Sequence, residues 1–254
     1  MRNYFALPWV GARYARGRPD VHTAIARRVG ERVAPGGRLA RALDVGCGTG
    51  LSTRALALLA ETVVGVDPAA SMLAQTAHHA RVRYVRGVAE ALPLAAGAFD
   101  LVAVACALHW CEHDAFAAEA RRVVRPGGWL IVYDNQFRGQ TPRSSDLTDW
   151  LETDYYRGMP WAPRSPHYDA EAHPLRGFTC EHHEIVEEWV PMTRGELVAF
   201  LLTQSSPIAA VEAGQASVTE LEARLRAGLA RFLADAESRT AFRFAGRVFY
   251  LRPT

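Results

Sequence analysis

Five short apolar runs alternate with helical segments between residues 39 and 134, and this alternation constrains the fold more than any other feature. Continuous apolar runs of this length are typical of strands that are buried on both faces of a parallel sheet. Segments with helical spacing of apolar residues lie at 52–60, 71–80 and 113–124. Repeated strand, helix, strand units predict a doubly wound α/β fold. The runs are LARALDV (39–45), TVVGVD (62–67), VRYVRG (82–87), DLVAVACA (100–107) and WLIVYD (129–134).

The segments on either side of this core have different patterns. Asp20 can cap a helix that runs to about Val33, where Pro-Gly-Gly ends it. Residues 135–177 hold five prolines and many aromatic residues without periodicity, which predicts an inserted lid. A strand (181–190), two helical segments (about 194–204 and 218–237) and a closing strand (242–251) follow. We therefore expect four parts: an N-terminal helical arm (1–38), a core (39–134), a lid or substrate insertion (135–177) and a C-terminal part that completes the sheet (178–254).

Composition excludes several classes of protein. The chain carries 29 basic side chains, all of them Arg, against 27 acidic ones, and the net charge of +2 is too small for a strongly basic nucleic-acid binder. It contains no run of 18 uncharged apolar residues, so we expect no membrane span. The start lacks a signal-peptide core, and the four cysteines form no CxxC pair, which favours free thiols and a cytoplasmic location.

Charge is unevenly distributed along the chain. Residues 1–41 contain nine Arg and two acidic residues, a balance of +7, and the remainder therefore carries −5. A basic face on a solvated helix is the commoner explanation, although an RNA-facing patch remains an alternative.

The segment Leu43-Asp-Val-Gly-Cys-Gly-Thr-Gly50 ends the first predicted strand and begins a helix. Its glycines allow a tight turn and a close backbone approach, and the helix start presents unpaired N–H groups. The GxGxG spacing followed by Leu51 does not meet the dinucleotide fingerprint, and no GK[ST] ending indicates a triphosphate loop. Asp44 would repel a pyrophosphate but suits a cationic ligand, and Asp67 can accept hydrogen bonds from both ribose hydroxyls. These residues indicate a cationic nucleoside without phosphate.

At these residues the chain resembles the class I S-adenosylmethionine-dependent methyltransferases, and within them the small-molecule branch with the ubiquinone-pathway, malonyl-carrier and trans-aconitate methyltransferases. The matching segments are LDVGCGTG, VVGVDPAASML, GVAEALPLAAGAFDLV, ALHW and RRVVRPGGWLIV. The resemblance implies a Rossmann-like, mostly parallel seven-stranded sheet with an antiparallel last strand. It also implies S-adenosylmethionine as cofactor, S-adenosylhomocysteine as product and a small-molecule acceptor.

The resemblance also implies roles for particular residues. The glycine turn with Asp44 would hold the methionine part, Asp67 the ribose, and Pro68 with Met72 the adenine, whose edge would meet the backbone N–H of Ala89. Many relatives have Asp where this chain has Val88, so the adenine amino group would need a backbone contact or Glu90. The implied cofactor residues are Tyr14, Arg18, Asp44, Gly46, Cys47, Gly48, Gly50, Asp67, Pro68, Met72, Ala89 and Glu90.

The acceptor side is less specific. His109 follows the fourth predicted strand and is either a base that removes the acceptor proton or a histidine with a structural hydrogen bond. Trp110, Tyr155, Tyr156 and Trp161 either enclose an apolar or aromatic acceptor or form a small separate core. No Cys/His spacing indicates a metal site, and no pattern specifies an oligomeric state. Three functions remain open: small-molecule methylation, RNA methylation, and cofactor binding without catalysis.

Overall fold

Within residues 4–160 and 168–254, which the computed structural model describes, eight strands form one sheet in the order β3-β2-β1-β4-β5-β8. Strands β1 to β5 are parallel, β8 runs antiparallel to β5, and β6 and β7 pair with β8. The predicted mostly parallel sheet with an antiparallel last strand is confirmed, and β6 is an additional strand. The strands are β1 (Leu39–Val45), β2 (Ala60–Asp67), β3 (Val82–Arg86), β4 (Phe99–Ala105), β5 (Val124–Tyr133), β6 (Gln136–Phe137), β7 (Phe178–Met192) and β8 (Thr240–Pro253).

Nine α-helices accompany the sheet in the same described ranges. The carboxylate of Asp20 accepts hydrogen bonds from the backbone N–H groups of His22 and Thr23 at the start of α2, as its capping prediction requires. The helices are α1 (Val10–Gly17), α2 (His22–Val33), α3 (Leu51–Leu56), α4 (Ala70–Leu73), α5 (His113–Val123), α6 (Asp146–Trp150), α7 (Arg194–Leu201), α8 (Ser205–Glu212) and α9 (Val218–Leu229). None of them combines the length and apolar character that crossing a bilayer requires.

The predicted helix over 71–80 is wrong for most of its length, because α4 ends at Leu73. Met72 is the single buried residue of α4, and most of the residues from Ala74 to Ala80 are exposed, so a longer helix would have no apolar face to bury. The chain instead passes through an irregular segment, 74–81, before β3.

The sheet is covered by apolar clusters on both faces, which explains why its strands read as continuous apolar runs. Leu43 and Val45 of β1 pack on one face in a cluster with Phe116 of α5. Ala42 of the same strand points to the other face, in a cluster with Ile25 of α2 and Leu56 of α3.

A third apolar cluster joins segments that are far apart in the chain. It contains Leu147, Leu151 and Tyr155 from the segment after β5, together with residues of α7 and α9 and the first half of β8. The segment 135–160 therefore packs with the helices that follow β7, and together they form what we call the helical cover. Sequence reasoning had assigned those later helices only to a part that completes the sheet.

Helix α1 is fixed by two close backbone contacts. A Cβ atom at Gly11 would lie 2.2 Å from the carbonyl oxygen of Ser71 in α4, and one at Gly17 would lie 2.5 Å from that of Ala199 in α7. Helix α1 therefore contacts both the core and the helical cover, and only glycine at these two positions permits such close approaches.

Candidate active site

A cavity of about 650 Å³ lies where the carboxyl ends of the parallel strands meet the arm and the helical cover. The turns after β1 to β5 all contribute to its wall, as open α/β sheets lead one to expect. Of the residues predicted to form the site, the following line it: Tyr14, Arg18, Gly46, Gly48, Asp67, Pro68, Met72, Ala89, Glu90, His109, Trp110 and Tyr156.

The glycine turn forms one end of the cavity. Gly46 has φ +73° and Gly48 φ +53°, a backbone region that favours glycine. A Cβ atom at Gly46 would lie 2.5 Å from the Cβ of Ala107, so a larger residue would collide with the end of the loop after β4. The turn therefore exposes backbone to the cavity where a side chain would otherwise fill it.

Three predicted cofactor residues of this segment do not line this cavity: Asp44, Cys47 and Gly50. Gly50, at φ +82°, accepts a hydrogen bond from the N–H of Arg54 at the start of α3, and a Cβ there would lie 2.2 Å from Tyr84 Oη. Cys47 is buried beside a smaller cavity of about 50 Å³, and burial raises the pKa of its thiol far above the ordinary value. Neither Cys47 nor Gly50 lines the cavity, and their contact with the cofactor stays a prediction.

Asp44 lies beneath the turn and is completely buried. The hydroxyl groups of Ser52 and Thr53 each donate to its Oδ2 atom at 2.6 Å, whereas Oδ1 has no hydrogen-bond partner among the described residues. Burial raises the pKa of this carboxyl to about 6, against the two hydroxyl hydrogen bonds that lower it. A cationic group reaching Oδ1 would stabilise the ionised form.

Asp67 ends β2 and faces the cavity, with 8% of its surface exposed. The N–H of Gly48 donates to its Oδ2 atom at 2.9 Å, and the N–H of Ala69 donates to Oδ1 at 2.8 Å. Burial raises the pKa of this carboxyl above its ordinary value, and the two backbone hydrogen bonds oppose that effect. Each carboxylate oxygen can accept more than one hydrogen bond, so both remain able to bind a pair of vicinal hydroxyls.

A polar corner lies between the glycine turn, α1 and the end of β5. The guanidinium of Arg18 lies over the rings of Tyr14 and Phe200, 4.6 Å and 5.3 Å from their centroids, and its Nη2 donates to the carbonyl of Thr203. Its Nε is buried and has no partner within the described residues, and the same holds for Asn135 Oδ1.

These orphaned atoms are complementary to an amino-acid group. Arg18 Nε can donate to a carboxylate, while Asp44 Oδ1 and Asn135 Oδ1 can accept from an ammonium. Unsatisfied buried polar atoms are costly, so three of them around one turn indicate a ligand that satisfies them. The residues present therefore fit the amino-acid and ribose parts of S-adenosylmethionine.

The side of the cavity that is expected to hold the adenine is mostly apolar. Met72 is buried with its methyl group close to Gly48, since a Cβ at Gly48 would lie 3.2 Å from Met72 Cε. Val88, which replaces the Asp of many relatives, is 45% exposed and lines the cavity. Glu90 Oε1 accepts a hydrogen bond from the N–H of Glu112, which ties this wall to the start of α5.

A further part of the cavity wall, which we call the acceptor end, contains the predicted acceptor residues His109, Trp110 and Tyr156. His109 is 6% exposed and lies in a short 3₁₀ turn, Leu108–Trp110, with its Nδ1 4.0 Å from Asp134 Oδ1. The ring of Trp110 packs between His109, at 5.2 Å, and Phe5, at 5.5 Å, measured between ring centroids. Trp110 packs against other rings, as a core residue would, and also lines the cavity, as an acceptor-contacting residue would. Each of the two interpretations is therefore partly correct.

The prediction for Tyr155 is corrected by its surroundings. Its side chain is 1% exposed, stacks on Trp150 and belongs to the apolar cluster of the helical cover. The neighbouring Tyr156 packs against Tyr155, with 5.0 Å between the ring centroids, and also lines the cavity. Trp161, the other aromatic residue predicted to contact the acceptor, lies outside the described residues.

Several lining residues were missed by sequence reasoning. Asp134 and Asn135 follow β5 directly, and the position of a polar pair at the carboxyl end of a predicted parallel strand was a usable signal. Phe137, Phe200 and Gln204 offered no such signal, because they reach the cavity only through the packing of β6 and the helical cover. In the ranges that the structure describes, no group of three or more His, Cys, Asp or Glu side chains is arranged to hold a metal ion.

Comparison with known proteins agrees with this geometry. The model of a methyltransferase domain family (Methyltransf_11) matches residues 43–132. A malonyl-[acyl-carrier protein] O-methyltransferase from Pectobacterium atrosepticum is 36% identical over 67% of this chain and 68% of its own length. A similar enzyme from Serratia marcescens is 34% identical over 55% of this chain and 56% of its own length. A ubiquinone biosynthesis O-methyltransferase from Azorhizobium caulinodans is 41% identical over 36% of this chain and 39% of its own length.

Solved structures extend the similarity to almost the whole chain. A candidate type II methyltransferase from Anaeromyxobacter dehalogenans superimposes with a TM-score of 0.74 at 26% identity, covering 93% of this chain and 97% of the other. The fold alone is shared with a Haemonchus contortus N-methyltransferase solved with S-adenosylhomocysteine, at a TM-score of 0.52 and 20% identity, covering 99% of this chain and 57% of that one. The chain belongs to the class I S-adenosylmethionine-dependent methyltransferases.

Proposed function

We propose that this protein transfers the methyl group of S-adenosylmethionine to a small-molecule acceptor. The observation that carries the proposal is the set of buried, unpartnered polar atoms around the glycine turn, next to the Asp67 carboxylate. One donor and two acceptors complement the carboxylate and the ammonium of a zwitterionic amino acid, and Asp67 complements a ribose. Family membership independently favours the same cofactor.

The binding roles follow from these positions. Arg18 Nε would donate to the cofactor carboxylate, and Asp44 Oδ1 with Asn135 Oδ1 would accept from its ammonium. Asp67 would accept from the ribose hydroxyls, while Pro68 and Met72 would pack against the adenine. When bound, the cofactor supplies an electrophilic methyl group on a sulfonium. The chain's own contribution is to hold the acceptor in line with that methyl and to exclude water.

The walls of the acceptor end support a small, partly apolar substrate. They are formed by the apolar side chains of Phe137, Leu151, Tyr156, Met159 and Phe200, most of which belong to the helical cover or pack against it. Apolar and aromatic walls of this kind favour a small, partly apolar acceptor.

The basic arm gives little support to the RNA alternative. Arg28 pairs with Glu184 at 3.2 Å, and Arg38 donates to the carbonyls of Ala57 and Leu58, so part of the +7 balance is already engaged within the protein. We also propose a cytoplasmic location, which the free thiols of Cys47, Cys106, Cys111 and Cys180 support.

Titration calorimetry with S-adenosylhomocysteine tests the cofactor proposal. We expect saturable binding that Asp67→Ala weakens about 100-fold or more, because two hydrogen bonds to a charged acceptor are worth about 1.5 to 3 kcal/mol each. Asp114→Ala, at an exposed position in the first turn of α5, is the matched control and should bind like the wild type. Far-UV circular dichroism checks that both variants fold.

Two results would contradict the proposal: absence of binding by the folded wild type, or micromolar binding that Asp67→Ala leaves unchanged. Binding without any methylated product across a broad acceptor screen would instead favour a cofactor-binding protein without catalysis.

A further inference from the structure

The acceptor end of the cavity contains a histidine and an aspartate that face each other. His109 Nδ1 lies 4.0 Å from Asp134 Oδ1, and the two side chains are 7% and 20% exposed. Both line the cavity, His109 from the turn after β4 and Asp134 from the residue that follows β5. A carboxylate beside one imidazole nitrogen is the arrangement that sets a histidine up to accept a proton on the other.

The backbone holds this pair in place from both sides. The N–H of Cys106 donates to the carbonyl of Tyr133 at 2.8 Å, and the N–H of Asn135 donates to Cys106 Sγ at 3.3 Å. Cys106 has φ +52°, an unfavourable value for a residue other than glycine, and this conformation turns the chain from β4 into the 3₁₀ turn that carries His109. The ends of β4 and β5 are therefore fixed relative to one another, and the ring of Trp110 packs against the imidazole.

We propose that His109 is the general base for an acceptor hydroxyl and that Asp134 is its positioning residue, an inference that rests on the proposed methyl transfer. His109 Nε2 takes the hydroxyl proton as the oxygen attacks the sulfonium methyl carbon. A C–O bond forms, the C–S bond breaks, and its electron pair stays on sulfur, which becomes a neutral thioether. The imidazolium faces the Asp134 carboxylate and then releases its proton to water.

This chemistry selects among acceptor classes. A carboxylate acceptor is already ionised near neutral pH and has no proton for a base to remove. An ammonium acceptor has no lone pair for the attack until it loses a proton, and it would bring a second positive charge next to the sulfonium. A hydroxyl is neutral on entry and needs the base. The aromatic walls contributed by Trp110, Phe137 and Tyr156 favour a hydroxyl on a planar ring.

The tautomer of His109 tests the pair without any acceptor. Nitrogen-15 NMR of the histidine-labelled protein should show His109 with its proton on Nδ1, and Asp134→Asn should redistribute the proton between the two nitrogens. Asp134→Glu should restore the wild-type spectrum, and Asp149→Asn, exposed on α6, should leave it unchanged. A proton on Nε2 in the wild type, or a spectrum insensitive to Asp134→Asn, would overturn the proposal.

Methyl transfer to phenol, benzylamine and benzoate tests the acceptor class, since the three probes share an aromatic ring and present a hydroxyl, an ammonium and a carboxylate at neutral pH. We expect phenol to be methylated about tenfold faster than the others, with kcat reduced about 100-fold in His109→Gln and about tenfold in Asp134→Asn. Preference for benzoate or benzylamine, or a phenol rate that neither variant lowers, would refute the inference. If none of the probes reacts, the tautomer result alone decides it. Unchanged S-adenosylhomocysteine binding in both variants separates this failure from failure of the proposed function.

Discussion

Asp44 allows a quantitative test of how the site holds its ligand, through the variant Asp44→Asn. The carboxyl is completely buried, and burial raises its pKa from 3.8 to about 6. A difference of about two pH units corresponds to about 3 kcal/mol between the protonated and ionised forms. The native state therefore binds more protons than the unfolded chain between these two values, so the free energy of unfolding falls as the pH rises through this window.

The expected result is a difference that depends on pH. Asn at position 44 does not titrate, so the wild type should lose about 3 kcal/mol relative to Asp44→Asn between about pH 4 and about pH 7. Any effect of the substitution that does not depend on pH, including altered hydrogen bonds to Ser52 and Thr53, cancels when the change in this difference between the two pH values is taken. Urea unfolding at a series of pH values measures this difference directly. If the unfolding free energies of the wild type and Asp44→Asn, plotted against pH, stay parallel within about 0.5 kcal/mol, the proposed pKa shift of Asp44 is refuted.

The same variant links stability to binding. The ammonium of S-adenosylhomocysteine should favour the ionised carboxyl, so wild-type affinity should fall by up to tenfold per pH unit below about pH 6. Asp44→Asn should bind more weakly at neutral pH and should show a smaller decline on acidification. Equal pH dependence in the two proteins would contradict a contact between the ligand and Asp44.

Two glycine substitutions test the turn and the arm. Gly50→Ala should lower the free energy of unfolding by about 2 to 5 kcal/mol, because its Cβ would lie 2.2 Å from Tyr84 Oη at a positive φ. The control Gly36→Ala, with φ +71° and no atom within 4 Å, should lower it by only about 1 to 2 kcal/mol. Urea unfolding measures both values, and equal losses would contradict the clash at Gly50. Gly11→Ala, whose Cβ would lie 2.2 Å from a backbone oxygen in α4, should displace α1 and weaken S-adenosylhomocysteine binding about tenfold. Calorimetry compares this variant with Arg16→Ala, an exposed control on the same helix. Equal affinities of the two variants would show that α1 does not position the cofactor residues.

The parts of the fold that sequence reasoning predicted well are those with local physical causes. The strands of the parallel sheet are buried on both faces, so their apolar runs are continuous and easily recognised. The glycine turn and Asp67 were equally accessible, because a tight turn at a strand end and an acidic residue at the next strand end are features of single segments. The helix over 71–80 failed because spacing alone does not reveal whether a face will be buried.

The acceptor side was less predictable because it is assembled from distant segments. Tyr155 and Tyr156 are adjacent in sequence and both contact the helical cover, yet only Tyr156 of the two lines the cavity. This difference depends on packing against distant segments such as α7 and α9. His109 and Asp134 meet because β4 and β5 are neighbours in the sheet. That pairing follows from topology, which the order of strands along the chain does not specify by itself.

A crystal structure with S-adenosylhomocysteine tests the proposed binding site most directly. We expect the ribose hydroxyls on Asp67, the carboxylate on Arg18, the ammonium on Asp44 and Asn135, and the sulfur directed towards His109. A ligand whose ribose lies away from Asp67, or whose amino-acid group leaves Arg18 Nε and Asp44 Oδ1 without partners, would contradict it.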